Sequence, residues 1–339
     1  MRHDKIAAIT VLVVFASLGL VAPSSSFAAD SGKPEKVDVV VTYAQPSGAF
    51  TPIWVAYEAG LFKKYGLNAS LQLLTPQVSA QAVISEEADF YTDGPDLINA
   101  RLHGGQVKYF AGTIQQLVFQ IWAAKEIKTI QDLKGKAIGA STPRAALDTA
   151  IRETLKKNGL APDKDVQVLY LQSVPAILSA ILGGKVVAGG LSAPNTVKAK
   201  EAGLNLLVDI GKLNIPAFQV AYGATEKFLK NNPNTISAFL KAIAEGVVMS
   251  RQEPAVAKKA IAKYVKIDDA PTIDGTYDAF APYWAMSLAV RPEAIKAQFE
   301  YIDEKEFPKV KNADPKDFYD NSFVDALTKS GFLKNLGMK

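Results

Sequence analysis

The loops that follow predicted strands carry most of the side chains that could bind a small molecule. In an open sheet of parallel strands, ligands bind beyond the carboxyl ends of the strands, where these loops lie. The loops are rich in Gln, Ser, Thr, Gly and Pro, and each precedes a helix N-terminus that suits an anion. We expect the ligand-binding residues to be Ser47, Phe50, Trp54, Gln77, Asp93, Gln116, Ser141, Thr142, Arg144 and Asn195.

The sequence Ser141-Thr142-Pro143-Arg144 is the most informative of these loops. Thr142 is predicted to cap a helix that has Pro143 at its first position. A hydroxyl, backbone N–H groups and the Arg144 guanidinium could together hold a carboxylate or sulfonate, with two parallel hydrogen bonds from the guanidinium. The alternatives are plain helix capping for the loop and a surface salt bridge for Arg144.

Several other candidates have a structural alternative. Phe50 ends a loop containing Pro and Gly that could wrap a ligand or be only a turn. Trp54 lies a turn into the next helix and could be a ligand platform or a packed core residue. Asp93 could bind an amino group or cap its helix. Gln77 and Gln116 are neutral donors and acceptors at loop positions, while Asn195 is a weaker candidate.

Motifs for catalysis are missing from the sequence. There is no cysteine, and His103 is the only histidine beyond His3. Thiolate metal sites and disulfides are therefore excluded, and a multi-histidine zinc site cannot be built. The chain has no Gly-Lys-Ser/Thr phosphate loop and no nucleophile elbow. We therefore expect no enzyme activity, no cofactor and no metal. The charges are scattered and form no basic stripe, so no nucleic-acid partner is expected.

The order of predicted strands and helices indicates an α/β fold with parallel strands. The stretch Lys63–Leu67 ends a helix before a strand, and Lys156–Leu160 does the same further on. The spacing from Pro95 to Gly104 also equals the spacing from Pro194 to Gly203. The proline suits a helix start and the glycine a helix end. These echoes predict two α/β lobes built on one plan.

The predicted lobes divide the chain into four parts. Residues 1–28 are a signal peptide, 29–120 begin lobe 1, 121–218 form lobe 2, and 219–339 return to lobe 1 and add C-terminal helices. Phe119–Ala124 and Phe218–Gly223 are the expected crossings between the lobes. A chain of this length is long for a single hydrophobic core, which favours the division.

Three stretches resemble one family of importer components. Pro52–Leu67 resembles the opening helix of solute-binding proteins of nitrate/sulfonate/taurine-type ABC importers. Ile130–Gly139 resembles that family's entry into lobe 2, and Asn232–Ala242 resembles its C-terminal helix. The resemblance covers nearly the whole chain after Ala28. It implies a type II-like periplasmic-binding-protein clamshell with two hinge crossings and a helical C-terminal tail.

The resemblance also implies a function. Such a protein captures a small molecule between its lobes and delivers it to an ABC permease in the inner membrane, and we expect it to be a monomer. Members bind nitrate, bicarbonate, alkanesulfonates, taurine, aromatic acids or pyrimidine precursors of thiamine. We expect a small organic anion, a sulfonate or carboxylate. The alternatives are a neutral or cationic pyrimidine resting on Asp93 and, in another class, an enzyme of small-molecule metabolism on the same fold.

Two departures from the family pattern affect the predicted cleft. Gly184–Gly190 lacks an acidic residue often found there, and Thr75-Pro76-Gln77 lacks the glycines often seen in that loop. A related branch of the family makes the thiamine pyrimidine enzymatically. That activity resembles one that needs a cysteine-rich iron motif. The lack of cysteine argues against that activity.

The N-terminus predicts export to the periplasm. Arg2 and Lys5 precede the apolar run Ile6–Ala22, and Ser26-Phe27-Ala28 places small residues at the two positions that signal peptidase reads. A membrane anchor is the alternative, but the run is marginal for spanning a bilayer.

We predict cleavage after Ala28. N-terminal sequencing of the protein expressed in a Gram-negative host should begin at Ala29, because the signal is removed during export. Recovery of Met1 in the membrane fraction would contradict this expectation.

Overall fold

Two sheets of matching strand order organise the part of the chain that the structure describes. A computed structural model describes residues 32–338, so the predicted signal peptide lies outside the described residues. The strands are β1 (Asp38–Tyr43), β2 (Asn68–Leu73), β3 (Tyr91–Asp93), β4 (Val107–Gln116), β5 (Gln120–Ala123), β6 (Ala137–Ala140), β7 (Gln167–Tyr170), β8 (Ala188–Leu191), β9 (Asn205–Asp209) and β10 (Pro216–Thr225).

Helices connect the strands and form the C-terminal region. They are α1 (Thr51–Glu58), α2 (Leu61–Lys64), α3 (Pro76–Ile84), α4 (Asp96–Leu102), α5 (Ala146–Lys157), α6 (Val174–Leu182), α7 (Asn195–Glu201), α8 (Glu226–Asn231), α9 (Pro233–Gln252), α10 (Pro254–Val265), α11 (Ala270–Phe280), α12 (Pro292–Phe299), α13 (Ser322–Lys329) and α14 (Phe332–Asn335). Short 3-10 turns occur between them, among them Gly48–Phe50, Ile210–Leu213 and Ala281–Tyr283. Within residues 32–338, every helix is too short or too polar to cross a bilayer.

The strand order is the same in both lobes. In lobe 2 it is β7-β6-β8-β5-β9. In lobe 1 the pair β1-β2 and the sheet β3-β10-β4 are joined by a parallel bridge between Val41 and Phe90, which gives β2-β1-β3-β10-β4. The shared plan predicted from the sequence is confirmed, and the fold is the expected two-lobed clamshell.

One strand in each lobe departs from the parallel arrangement that the sequence predicted. β10 is antiparallel to β3 and β4, and β5 is antiparallel to β8 and β9. Both strands enter their sheet directly from the other lobe without the crossover helix that a parallel connection needs. Each sheet therefore contains one antiparallel strand that the chain enters directly from the other lobe.

The two crossings lie side by side and are bonded to each other. Leu117–Phe119 connects β4 to β5, and the Leu117 N–H donates to the carbonyl of Ile215, 3.1 Å away. The Gln219 side chain accepts from the Val118 N–H at 2.5 Å and donates to the Val118 carbonyl at 3.3 Å. The first crossing is therefore Leu117–Phe119, and the second is 214–219, which includes the start of β10, where the pairing with β4 is irregular between Pro216 and Val220. Both begin a few residues before the expected crossings, because β5 and the rest of β10 are already paired inside a sheet. The lobe boundaries at residues 120 and 218 stay a prediction.

Each lobe has its own hydrophobic core. The core of lobe 2 extends from Leu117 to Ala217. The C-terminal helices pack on lobe 1, where α9 lies against α1. Gly246 of α9 allows this contact, since a Cβ there would lie 2.4 Å from the carbonyl oxygen of Pro52. The stretch Pro52–Leu67, which resembles one opening helix, is divided into α1 and α2 at Gly60, whose φ is 70°.

Candidate functional site

A small enclosed cavity lies where the two lobes meet the crossings, and we call it the central cavity. Its volume is about 30 Å³, which leaves room for a few atoms, since one ordered water needs about 10–15 Å³. Lobe 1 contributes Gln45, Ser47, Phe50, Asp93 and Asp96, the crossings contribute Phe119 and Gln219, and lobe 2 contributes Ser141, Leu147, Val174 and Ser192. The loops that the sequence indicated, beyond the carboxyl ends of the strands, therefore meet here.

The lobes touch closely around this cavity. The Ser47 hydroxyl of lobe 1 reaches the carbonyl of Ala193 in lobe 2, at 3.5 Å. A Cβ on Gly94 would lie 3.3 Å from the Phe218 carbonyl oxygen and 3.7 Å from the Ala146 Cβ. The clamshell is therefore closed in this structure, and the residue at 94 has little room for a side chain.

Two carboxyl groups form the lobe 1 wall of the central cavity. Asp93 ends β3 and Asp96 begins α4, and both are buried. Burial, reinforced by the nearby charge of Asp96, raises the pKa of Asp93 well above its usual range. Burial also raises the pKa of Asp96 to about 6, although the Tyr91 hydroxyl and the Arg144 charge act to lower it. Burial in the cavity therefore favours the neutral form of both carboxyl groups.

Two tyrosines hold the turn that carries these acids. The Tyr91 hydroxyl donates to Asp96 Oδ2 at 3.1 Å, and the Tyr109 hydroxyl donates to the Gly94 carbonyl at 2.7 Å. The Leu97 N–H donates in turn to the Tyr109 hydroxyl at 3.1 Å. The acid pair is therefore fixed by a buried hydrogen-bonded network and does not face open solvent.

Polar atoms without partners lie on opposite walls of the cavity. Asp93 Oδ2 in lobe 1 and Ser141 Oγ in lobe 2 are buried and have no hydrogen-bond partner in the described part of the chain. Buried polar atoms are nearly always hydrogen-bonded, so such a pair indicates a place for a ligand or ordered water. Among residues 32–338, no Lys, Arg or His lines this cavity.

The lobe 2 wall also contains the start of α5. Its N-cap residue is Ala145, which has no side chain able to cap the helix. Ala145, Ala146 and Leu147 line the cavity, and the first N–H groups of a helix have no partner within it. This end of α5 can therefore donate hydrogen bonds to an anion or another acceptor.

Ser47, Phe50, Asp93 and Ser141 are the predicted binding residues that line the central cavity. Their roles in binding stay predictions. Ser47 also caps the turn at Gly48–Phe50 by accepting from the Ala49 N–H. Asp93 does not cap its helix, because the N-cap position of α4 is Pro95 and no side chain bonds there.

Three predicted residues lie away from the cavity. Trp54 is fully buried in the lobe 1 core and stacks on Tyr264, with ring centroids 5.0 Å apart. Gln77 is exposed on α3. Gln116 donates from Nε2 to the Gly211 carbonyl at 3.0 Å, so its amide joins β4 to the 3-10 turn that precedes β10.

The loop after β6 also differs from its prediction. α5 begins at Ala146 and not at Pro143, so Thr142 is not its N-cap. The Thr142 carbonyl accepts from the Ala145 N–H instead. Asn195 is the first residue of α7, and its N–H donates to the Ser192 carbonyl. Neither Thr142 nor Asn195 lines the central cavity.

Arg144 points out of the cleft and joins the two lobes at its rim. Its φ of 63° turns the chain, and its N–H donates to Asp148 Oδ2 at 2.7 Å. The guanidinium forms an ion pair with Glu306 at 2.6 Å and lies 5.6 Å from the ring centroid of Phe307. Phe307 belongs to the lobe 1 core. The surface salt bridge that the sequence left open as the alternative for Arg144 is therefore observed.

Some cavity residues were not predicted as binding residues. Asp96 follows Gly94-Pro95 at a helix start, where an acidic residue has an ordinary electrostatic explanation. Gln45 and Ser192 lie in the predicted loops and could have been chosen on position alone. Gln219 lies within a strand, and no pattern in the sequence marks its contact with the other crossing.

We predict that replacing Asp96 with Asn stabilises the protein at high pH. Because burial raises the pKa of Asp96 in the folded state, its contribution to stability is present below about pH 4 and lost as pH rises through about 6. Asp96→Asn should match the wild type at low pH and unfold with a free energy higher by on the order of 2 kcal/mol near pH 8. Urea unfolding at both pH values measures this, with the exposed Asp317→Asn as control. A variant less stable at both pH values contradicts it.

We also predict that Arg144→Ala favours the open clamshell. Both charges of the ion pair with Glu306 are roughly half exposed, so that pair and the contact with Phe307 are together worth about 1 kcal/mol. The chain has no cysteine, so spin labels on Gln77→Cys and Ala176→Cys report the interlobe distance cleanly. We expect the long-distance population to grow several-fold. Exchanging the charges, with Arg144→Glu and Glu306→Arg, should reverse the change. An unaltered distance distribution contradicts this role.

Comparisons with known proteins agree with this architecture. The periplasmic aliphatic sulphonate binding protein SsuA from Escherichia coli is 20% identical, with 84% of this chain and 92% of that chain covered and a TM-score of 0.67. The periplasmic nitrate-binding protein NrtA from Synechocystis PCC 6803 is 14% identical, covering 90% and 92%, with a TM-score of 0.70. A cysteine-to-serine variant of DSZB in complex with biphenyl-2-sulfinic acid is 16% identical, covering 87% and 100%, with a TM-score of 0.63.

At these identities the solved structures establish the fold alone. A sequence-family model gives the relationship by descent: the model described as NMT1/THI5 like matches residues 47–257. This match begins in the loop that supplies Ser47 to the central cavity and includes every strand from β2 to β10. Because it spans more than half of the chain, the protein belongs to the NMT1/THI5-like family.

Proposed function

We propose that this protein is the solute-binding component of an ABC importer, which captures a small molecule between its lobes and delivers it to a permease. The observation that carries the proposal is the central cavity, to which both lobes and both crossings contribute residues. A ligand there would contact every moving part of the clamshell. It would therefore stabilise the closed state through its differential contacts with the two lobes.

The lobe 2 wall of the cavity suits an acidic head group. Ser141 Oγ has no partner, and the start of α5 offers N–H groups that its own turns cannot use. A sulfonate or carboxylate could accept these hydrogen bonds, as the expected small organic anion would. The anion would be held by neutral donors, because Arg144 is engaged with Glu306 outside the cavity.

The lobe 1 wall suits a group that donates hydrogen bonds. Asp93 Oδ2 has no partner and is buried beside Asp96. An amino or ammonium group of the solute could fill this position, and an ionised Asp93 would pair with it. We therefore infer a small solute that carries an acidic head and, at a short distance, an amino group. Ser47 and Phe50 would complete the wall around it.

A second candidate is the neutral or cationic pyrimidine. The two carboxyl groups and the lack of a cationic side chain among the lining residues favour it. Such a ring would donate its amino hydrogens to Asp93 and contact Phe50 or Phe119. Such a ring would accept fewer hydrogen bonds from the N–H groups at the start of α5 than a solute with an acidic head.

An enzyme on the same fold is the alternative from another class. His103, the only histidine after the predicted signal, lies outside the central cavity with its ring against Phe307, at a centroid distance of 4.5 Å. Within the described residues, no group of three His, Cys, Asp or Glu side chains is placed to hold a metal. Binding without turnover is therefore the function that the geometry supports best.

The remaining expectations concern the setting of the protein. Export to the periplasm with cleavage after Ala28, a permease of the inner membrane as partner, and a monomeric state are all proposed with the importer function. The nitrate- and sulphonate-binding proteins of similar fold are described as periplasmic, which supports this setting.

Asp93→Asn separates the candidate ligands. For solutes with an amino group, we expect affinity to fall by about ten- to hundredfold, because an amide replaces a charge-assisted hydrogen bond. Solutes with only an acidic head should bind as before. Thermal shift over amino acids, aminoalkanesulfonates, plain sulfonates and carboxylates, nitrate and aminopyrimidines provides the screen. Asp325→Asn, an exposed carboxylate on α13, is the control.

The pH dependence of affinity also distinguishes amino solutes from plain anions, because the two affinities should change in opposite directions. Because burial raises the pKa of Asp93 in the closed state, an ammonium group should bind best at pH values above that pKa, where the carboxyl is ionised. Affinity for an amino solute should therefore rise with pH, whereas affinity for a plain anion should fall as Asp93 ionises. Calorimetry in buffers of different ionisation enthalpy counts the released proton. If none of these compounds stabilises the protein, the proposed function is wrong.

A further inference from the structure

A second and much larger space adjoins the central cavity, and we call it the adjoining groove. Its volume is about 1150 Å³. It lies between β5, α7 and β9 of lobe 2 and α11 with the following 3-10 turn of the C-terminal region. Phe119 and Ser192 line both spaces. The groove is therefore next to the central cavity, and these two residues belong to the walls of both.

The central cavity and the adjoining groove would hold different parts of a solute. A cavity of about 30 Å³ has room for a few atoms, whereas ligand sites usually measure about 300–1,000 Å³. A solute with more than a head group must therefore extend beyond the central cavity. The adjoining groove touches the cavity and is large enough to receive the rest.

The wall of the groove includes aromatic side chains. Trp122, Phe280 and Tyr283 line it, and the Trp122 indole is fixed because its Nε1 donates to Gln120 Oε1 at 2.8 Å. Gly275 of α11 lets α7 close one side, since a Cβ there would lie 2.7 Å from Val197 Cγ2. The walls are thus set by both lobes and are complete only when the clamshell is closed.

The half-buried Asp209 lines the groove and pairs with Lys212 at 3.4 Å, and the other charged residues of the groove lie at its exposed rim. Lys200 and Lys212 lie there with Glu201 and Asp278. The signs are mixed, and such exposed charges interact weakly through water. The rim therefore does not select an ion, and the discrimination comes from the apolar walls.

We propose that the adjoining groove is the subsite for the apolar part of the solute, with Phe119 at the junction and Trp122, Phe280 and Tyr283 as walls. The transported solute then has an aromatic or cyclic aliphatic tail attached to its polar head. This inference rests on the proposed function. It adds the class of tail, which the polar groups of the central cavity do not specify.

Matched probe pairs test the subsite. Alanine and phenylalanine share one head, and 2-aminoethanesulfonate and its N-cyclohexyl derivative share a sulfonate with a basic nitrogen, which is a secondary amine in the derivative. We expect at least one tailed member to bind more tightly than its partner by on the order of tenfold, because it buries its ring. Trp54 and Trp284 are fully buried in the lobe 1 core, so a change in tryptophan emission on binding should come from Trp122 and disappear in Trp122→Phe.

Two variants locate the tail. Tyr283→Ala removes a groove wall, and Leu206→Trp fills the groove from β9, where Leu206 is 45% exposed. Both should remove the advantage of the tailed probe and leave the head-only probe unchanged. Tyr57→Ala, another partly exposed tyrosine on α1, is the matched control. Equal affinity within both pairs, or a tail advantage that survives both groove variants, overturns the subsite alone. Failure of all four probes to bind overturns the subsite and counts against the proposed head-group chemistry, which Asp93→Asn tests separately.

Discussion

The hydrogen bonds between the two crossings are the constraint on which the rest of the molecule depends. The Gln219 amide bonds to both backbone groups of Val118, and the Ile215 carbonyl accepts from the Leu117 N–H. These contacts hold the antiparallel strands β5 and β10 in place as the fourth members of their sheets. The crossings also line the central cavity through Phe119 and Gln219. The hydrogen bonds between the crossings therefore affect the strand order, the positions of the lobes and the geometry of the cavity.

The buried acid pair is the principal energetic cost of the site. Asp93 and Asp96 lie in a cavity without a cationic side chain among its lining residues, and burying a carboxyl group favours its neutral form. The Tyr91 and Tyr109 hydroxyls fix the turn between the acids but supply no positive charge. A solute with an ammonium group would supply that charge. Affinity and stability are therefore linked at the same two residues.

The sequence predicted the fold more fully than the site. Alternating apolar runs and helical periods were enough for two α/β lobes on one plan, because each local pattern agrees with the packing of its element. The antiparallel orientation of β5 and β10 depends on the lack of a crossover helix after the link between lobes. The alternation of strands and helices alone did not reveal this.

Side-chain direction limited the prediction of the site. Choosing strand-to-helix loops located Ser47, Phe50, Asp93 and Ser141 at the cavity. The loop position could not show that a positive φ at Arg144 turns its guanidinium toward Glu306. Trp54 was a candidate because of its spacing, but its ring stacks on Tyr264, which is distant in sequence. Contacts of this kind arise only after the C-terminal helices have packed on lobe 1.

The delivery of one strand to each lobe has a consequence for the order of assembly. The sheet of lobe 2 draws all its strands from one continuous stretch, β5 to β9, whereas the sheet of lobe 1 needs β10, which follows that stretch. As the chain emerges from N- to C-terminus, lobe 2 can complete its sheet while lobe 1 still lacks a central strand. The incomplete sheet exposes unpaired edges of β3 and β4, so lobe 1 is the part most open to mispairing until residues 216–225 arrive.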